Sequence, residues 1–345
     1  MKRLLIFRFS AMGDVAMTVP VIHAVAKAYP DLQIMIVSRV AFQPFFEKLP
    51  ANISFFAADL SGKHKGIRGL YRLFRELGSM KFDAVADLHA VLRTFFLRFC
   101  FRLTGIRVEH IRKGRKEKKA LTRSRNKIRG PLTGTCERYA EVFKKLGLDF
   151  RLTFTDIFET EKPDCSTFLP YTGEKQNDQW IGIAPFAKHK GKMYPLHLME
   201  EVVAGLSQNP HTRLFLFGGG KYETEFLQKW EKKFLNTTTV AGKLKLKGEL
   251  ALISQLDLMI SMDSANMHMA SLTHTPVISI WGATHPWGGF MGWNQSAQNV
   301  IQLDLPCRPC SIFGHKPCLR KDYACMTQIS PKTIVQHAQL FLDSH

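Results

Sequence analysis

A chain of 345 residues is too long for one compact core and suits two domains of about 150 residues each. Hydrophobic residues at 45% and charged residues at 22% exclude a disordered chain. The 48 Lys and Arg against 29 Asp and Glu leave a net charge of +19, which implies an anionic partner: nucleic acid, a phosphorylated glycolipid or a membrane surface.

At the amino terminus Met1-Lys2-Arg3 precedes four apolar residues, Leu4 to Phe7, before Arg8 interrupts them, too few for a secretory signal. No stretch approaches the roughly 18 apolar residues of a membrane span. The expectation is a cytoplasmic chain, peripheral on the inner membrane at most, with its seven cysteines reduced.

Arg3 to Phe9 reads as a buried parallel strand, followed by the small-residue loop Ser10-Ala11-Met12-Gly13-Asp14 and a helix from Val15 to Tyr29 that tolerates Pro20. Strands follow at Ile34–Ser38, Ile53–Ala57, Asp83–His89 and Arg107–Ile111, with helices around 69–77 and 137–146. From about Asp149 to Asn177 the pattern dissolves into a polar linker. A second series has strands at Trp180–Phe186, Arg213–Phe217, Leu256–Met262 and Val277–Trp281, with helices at 196–206, 223–234 and 265–272 and one after Pro331. The alternation predicts an α/β chain of two Rossmann-like domains, residues 1–160 and 175–328, with a closing helix in 329–345. Two such domains predict a cleft lined by the carboxyl ends of both sheets. Neither half carries GxGxxG, which argues against a nicotinamide cofactor.

Four loops at strand ends carry the chemistry. In the first, Asp14 either accepts a proton from a bound hydroxyl or caps the helix behind it. In the second, Lys188, Lys190 and Lys192 stand on alternate positions, suited to a diphosphate or simply to solvent. The third is Gly218-Gly219-Gly220 with Glu223, where a carboxylate can bind ribose hydroxyls or favour the helix dipole. In the fourth, Asp263 ends a strand, Ser264 opens a helix fit for phosphate, and His268 lies one turn in, as ligand support or as packed core.

Together these motifs resemble glycosyltransferase family nine, the ADP-heptose:lipopolysaccharide heptosyltransferases. Ser10 to Asp14 is similar to that family's Ser-x-Met-Gly-Asp, and Lys192 to Pro195 to its Lys-x-(aromatic)-Pro. Asp263 to His268 resembles Asp-(Thr/Ser)-Gly-x-x-His, and Gly282 to Pro286 matches Gly-x-Thr-x-Pro. The resemblance runs from Lys2 to about residue 340. It implies a GT-B fold whose last helix crosses back to the first domain. Asp14 is implied as general base, with Ser10, Met12 and Gly13 beside the acceptor. Lys188, Lys192, Ser264 and Ala265 are implied at the donor diphosphate, Asp263 at the sugar, Glu223 at the ribose and His268 as support. Ala265 departs from the family's glycine; alanine keeps the amide but restricts φ, which predicts a shifted phosphate loop or an altered donor. The reaction implied is inverting transfer of a heptose or related sugar from a nucleotide-diphosphate sugar to a lipopolysaccharide core or lipid A acceptor. The absence of Asp-x-Asp fits catalysis that requires no metal.

Two local features remain. Arg112 to Arg129 holds ten Lys and Arg against one acid, Glu117, and reads as a solvated loop or as an acceptor loop engaging phosphates and the anionic membrane through Arg112, Lys113 and Arg115. It lacks the interleaved aromatics of a nucleic-acid platform, so no nucleic acid is expected. Cys307, Cys310, Cys318 and Cys325 have spacing that suits a structural zinc or iron, or free thiols, or a disulfide. The competing functions are a noncatalytic nucleotide-sugar or nucleic-acid binder and another GT-B enzyme such as a sugar-nucleotide epimerase.

Overall fold

The computed structural model describes residues 1–344, which form two compact units. The first comprises Met1–Lys113 and Gly134–Glu161, the second Gly114–Thr133 and Lys162–His345.

The first unit is built on a five-stranded parallel sheet: β1 (Arg3–Phe7), β2 (Gln33–Ser38), β3 (Ile53–Ala57), β4 (Ala84–Asp87) and β5 (Arg107–His110), in the order β3-β2-β1-β4-β5. Residues 4–7 of β1 are fully buried, as expected of a strand covered on both faces. The single long helix expected from Val15 to Tyr29 is two, α1 (Met12–Ala16) and α2 (Val19–Ala28). Thr18 ends the first by donating its hydroxyl to the Val15 carbonyl, and Pro20 then sits in the first turn of the second, where its missing N–H is harmless. Two further helices, α3 (Gly66–Gly78) and α4 (Leu92–Leu103), pack Leu70, Leu73 and Leu77 and Leu97 and Phe101 against Leu5, Phe7 and Val85.

The chain then leaves this unit. The basic segment contains a helix, α5 (Arg115–Thr122), and residues 114–133 belong to the second unit rather than to the first half, where their place in the sequence put them. The Lys127 ammonium donates to the carbonyls of Cys307 and Pro309, both at 2.7 Å, and the Leu132 amide to that of Trp287 at 2.9 Å. The chain returns to the first unit at α6 (Thr135–Lys145), whose Tyr139 and Phe143 are wholly buried.

The second unit repeats the plan with six parallel strands: β6 (Gln179–Ala184), β7 (Thr212–Leu216), β8 (Thr237–Thr239), β9 (Leu258–Met262), β10 (Val277–Ile280) and β11 (Val300–Ile301), ordered β11-β10-β9-β6-β7-β8. Its helices are α7 (Leu169–Thr172), α8 (Leu196–Leu206), α9 (Gly220–Lys233), α10 (Leu246–Ile253), α11 (Ala265–Leu272), α12 (Ala324–Thr327) and α13 (Pro331–Asp343). The last of these, expected to return to the first domain, lies along α8. Ile334 and Ala338 enter the second core, and Gly205 admits Val335 so closely that a Cβ there would stand 3.0 Å from its methyl carbon.

Both strand orders reverse direction in the middle, between β1 and β4 in one sheet and between β6 and β9 in the other. The loops leaving such a pair diverge and open a crevice at the carboxyl edge, where ligands of α/β sheets bind.

Candidate active site

In the first unit the reversal brings the loops after β1 and β4 together. Asp14 stands in the third position of α1 and reaches back to the Ala11 amide at 3.3 Å, so it caps the helix from inside rather than as its first residue. The same oxygen, Oδ2, forms an ion pair with Arg8 at 2.8 Å, and the side chain is 32% exposed. Arg8 is itself fixed, donating to the Leu88 carbonyl at 2.6 Å and lying over the Tyr139 ring, while the Tyr139 hydroxyl donates to the Asp14 carbonyl at 3.2 Å. Ser10, half-buried, is 3.5 Å from His89 Nε2, and Met12 and Gly13 form the first turn of α1.

His89 was not foreseen in this role. Its turn is set by Asp87, fully buried beside Arg98 at 3.1 Å, which accepts the amides of His89 and Ala90 at 2.9 Å each. Ala90 is thereby held in the left-handed region at φ 47°. Burial, then the charges of Arg8 and Lys113, push the His89 imidazole down from 6.5 to about 3. It is a neutral hydrogen-bonding group at physiological pH.

In the second unit the reversal pairs the loops after β6 and β9. Lys192, in a short 3-10 turn, places its ammonium 2.7 Å from Asp263 Oδ2, and the carboxylate side chain is 2% exposed. Ser264 caps α11 with extended backbone, its hydroxyl 3.1 Å from that of Ser261, so the first amides of α11 open beside the lysine. Ala265 is the first helical residue and has no positive φ, so its alanine is unstrained in this backbone. His268 is buried on the same helix.

Glu223 folds back onto the Gly219 amide at 2.7 Å, which is its helix-capping reading. Lys188 is exposed. Thr284, at the carboxyl end of β10, is buried, and its hydroxyl has no partner among the described residues. An orphaned hydroxyl beside an anion site is fitted to take a ligand atom.

The cysteine loop buttresses this site. Gly314 accepts the Gly191 amide, and with φ 73° it leaves no room for a Cβ, which would stand 2.6 Å from Lys192 Cγ. The buried Arg308 guanidinium donates to the carbonyls of Trp281 at 3.1 Å and Thr284 at 3.0 Å, and to Gln302 at 2.9 Å. Burial and the neighbouring Cys307 and Cys318 raise the Cys310 thiol, and burial pushes Cys325 up to about 11. Cys310 Sγ points at the Ala283 carbonyl, 3.8 Å away. All seven cysteines are free, and among the described residues no three potential ligands gather at metal-binding separation, so the thiols as arranged do not form the coordination set their spacing suggested.

Residues 70–323 match the model of glycosyltransferase family 9 (heptosyltransferase). The chain belongs to glycosyltransferase family 9. Among its relatives is the lipopolysaccharide core heptosyltransferase OpsX of Haemophilus influenzae, 27% identical over 83% of this chain and 80% of that protein. A family 9 glycosyltransferase from Veillonella parvula superposes with a TM-score of 0.75 at 19% identity, over 100% of this chain and 98% of that one. Escherichia coli heptosyltransferase WaaC with ADP superposes at 0.70 and 18% identity, over 98% and 99%. The dodecameric, iron-containing TibC from enterotoxigenic E. coli superposes at 0.58 and 14%, over 99% and 76%. The fold is GT-B, and the protein is a glycosyltransferase of the heptosyltransferase family. The family match covers the Lys192, Asp263 and Thr284 loops and the cysteine loop as far as residue 323, short of Cys325, and begins beyond Asp14.

Proposed function

We propose that this glycosyltransferase moves a heptose, with inversion, from ADP-heptose to a lipopolysaccharide core acceptor. The observation that carries the reading is the Lys192–Asp263 pair at the head of α11, on the reversal point of the second sheet. A buried carboxylate holds an ammonium beside free helix amides, a fixed positive edge for a departing nucleotide diphosphate. The names of the relatives, and ADP in WaaC, support the choice of heptose and adenine nucleotide.

In this mechanism Asp14 Oδ1 takes the proton of the acceptor hydroxyl as that oxygen attacks the anomeric carbon, and the bond to the diphosphate breaks on the opposite face. Arg8 orients the carboxylate, while Ser10, Met12, Gly13 and neutral His89 line the acceptor side. Lys192, Lys188, Ser264 and the amide of Ala265 receive the leaving diphosphate, with Thr284 as a further donor and His268 as support. Asp263 fixes Lys192 and meets the sugar; Glu223 serves the ribose. Arg112, Lys113 and Arg115 supply cations for acceptor phosphates on the cytoplasmic face of the inner membrane. No metal enters the chemistry. A structural zinc or iron on Cys307, Cys310, Cys318 and Cys325 is a separate matter, established by one equivalent of metal per chain in elemental analysis and removed by none.

The test is a thermal-shift screen with ADP-, UDP- and GDP-sugars, followed by mass detection of the glycosylated acceptor. ADP-heptose is expected to stabilise the protein and to add one heptose. Stabilisation by none of these donors overturns the reading.

A further inference from the structure

The exposed apolar residues of the first unit are ordered rather than scattered. On α4, Leu92, Phe95, Phe99 and Leu103 are 85%, 56%, 54% and 72% exposed, and their spacing places them on one stripe of the helix. On α3, Ile67 and Tyr71 lie one turn apart at 72% and 50%. The inner faces of both helices close the same core, and Phe74 of α3 meets Phe101 of α4 edge-on at 5.0 Å. The two helices therefore lie side by side on one face of the sheet, and their apolar stripes point outward from it.

The charge around the stripes has one sign. Arg68, Arg72 and Arg75 are exposed along the flank of α3, Lys65 precedes it, and Arg93 and Arg102 are exposed on α4. The one acid in either helix, Glu76, is held by Lys63 at 2.8 Å and His64 at 3.3 Å. Water is a poor partner for so continuous an apolar surface. An anionic bilayer interface suits both parts: aromatic and leucine side chains enter the acyl boundary while arginines stay at the phosphates.

The basic segment around Arg112–Arg129 competes poorly for this role. Lys127 and Arg129 are committed to the carbonyls of 306–309 and Lys118 lies over the Phe290 ring. Its exposed large apolar side chain is Ile128 alone among the described residues.

We propose that the outer face of α3 and α4 is an interfacial docking surface for an anionic lipid bilayer, with Leu92, Phe95 and Phe99 as its inserted residues. Arg93, at the amino end of the stripe, also lines a cavity of about 540 Å³ with Arg39, Ala57 and Ser61, at the carboxyl edge of the first sheet. Docking through α4 thus presents that edge to the lipid headgroups. The inference goes beyond the transfer reaction and stands whichever sugar is moved, because its readout is lipid binding.

The test is cosedimentation of the full chain with large vesicles of phosphatidylethanolamine and phosphatidylglycerol. The wild type is expected to bind, with binding lowered by salt and by substituting phosphatidylcholine. Phe95→Ser with Phe99→Ser is expected to weaken partitioning at least about tenfold. Arg68→Ser with Arg72→Ser, which leaves the apolar stripe intact, should weaken binding to the anionic vesicles only. Vesicle binding equal to wild type in both double variants overturns the proposal, as does loss of binding only on neutralising residues 112–129. A lipid-free dimer that the phenylalanine variant dissolves also overturns it, by making the face a contact between copies.

Discussion

Each sheet sets a carboxylate–cation pair where its strand order reverses, and the two pairs differ in how much water they see. Asp14 and Arg8 are 2.8 Å apart with the carboxylate one-third exposed; Lys192 and Asp263 are 2.7 Å apart with the carboxylate at 2%. The same topological address thus yields two instruments. In the first unit the cation is the buried member and the acid reaches solvent, which on the proposed mechanism suits it to meet an acceptor hydroxyl. In the second the acid is buried and the cation is the more exposed member, which on the proposed mechanism lets the acid fix a charge for the donor diphosphate. Burial, rather than residue type, divides the roles.

The largest effect expected on that contrast is from Asp14→Asn, which should lower turnover about 1,000-fold while leaving ADP affinity nearly unchanged. Some loss of melting temperature should accompany it, because the buried Arg8 loses its ion pair. Transfer assays beside calorimetric ADP titration check it, and near-normal turnover removes Asp14 as base. Asp263→Asn should lower ADP affinity as well as turnover, because it releases the ammonium that meets the diphosphate, and cost about 3 kcal/mol of stability in urea unfolding. If the Asp14 variant loses ADP affinity and the Asp263 variant keeps it, the contrast is wrong.

A third effect is one of pH. The unfolded His89 takes up a proton below its ordinary 6.5, whereas the folded side chain resists it down to about 3. Its share of stability is complete above 6.5 and drains as pH falls, by about 2 kcal/mol between pH 7 and 5. His89→Gln should flatten that slope in denaturant titrations at the two pH values. The smallest effect belongs to Ala265→Gly: at the first turn of α11 it should cost no more than about 1 kcal/mol and shift donor affinity less than about twofold. A large gain in affinity would show that alanine does restrict the loop.

Much of the framework was legible because each central strand is a continuous apolar run closed by a loop of small or charged residues. Asp14, Lys192 and Asp263 could be found for the same reason: each directly follows such a run or the turn after it. α4 escaped because its apolar residues surround the helix, and only the fold separates Leu97 and Phe101 in the core from Phe95 and Phe99 outside it. β8 is three threonines, too short and too polar to give a period. His89 and Arg308 draw their roles from partners distant in sequence, Ser10 for one and the Trp281–Thr284 carbonyls for the other. The concern over Ala265 was a matter of φ, which one residue type cannot fix alone. The attachment of residues 114–133 depends on carbonyls 180 and 182 residues downstream of Lys127, at Cys307 and Pro309, beyond the reach of local pattern.

That attachment has a consequence for biosynthesis. The first unit has all its residues once Glu161 has left the ribosome, and a domain can fold as soon as its own sequence is available. The inserted basic stretch cannot settle then, since Trp287, Cys307 and Pro309 have yet to be translated. For the time taken to make about 150 further residues, several seconds or more at ordinary elongation rates, it is a cationic arm projecting from a finished domain. Through the middle of its own synthesis the nascent chain thus carries the ten Lys and Arg of residues 112–129 while the carbonyl partners of Lys127, at Cys307 and Pro309, are not yet made.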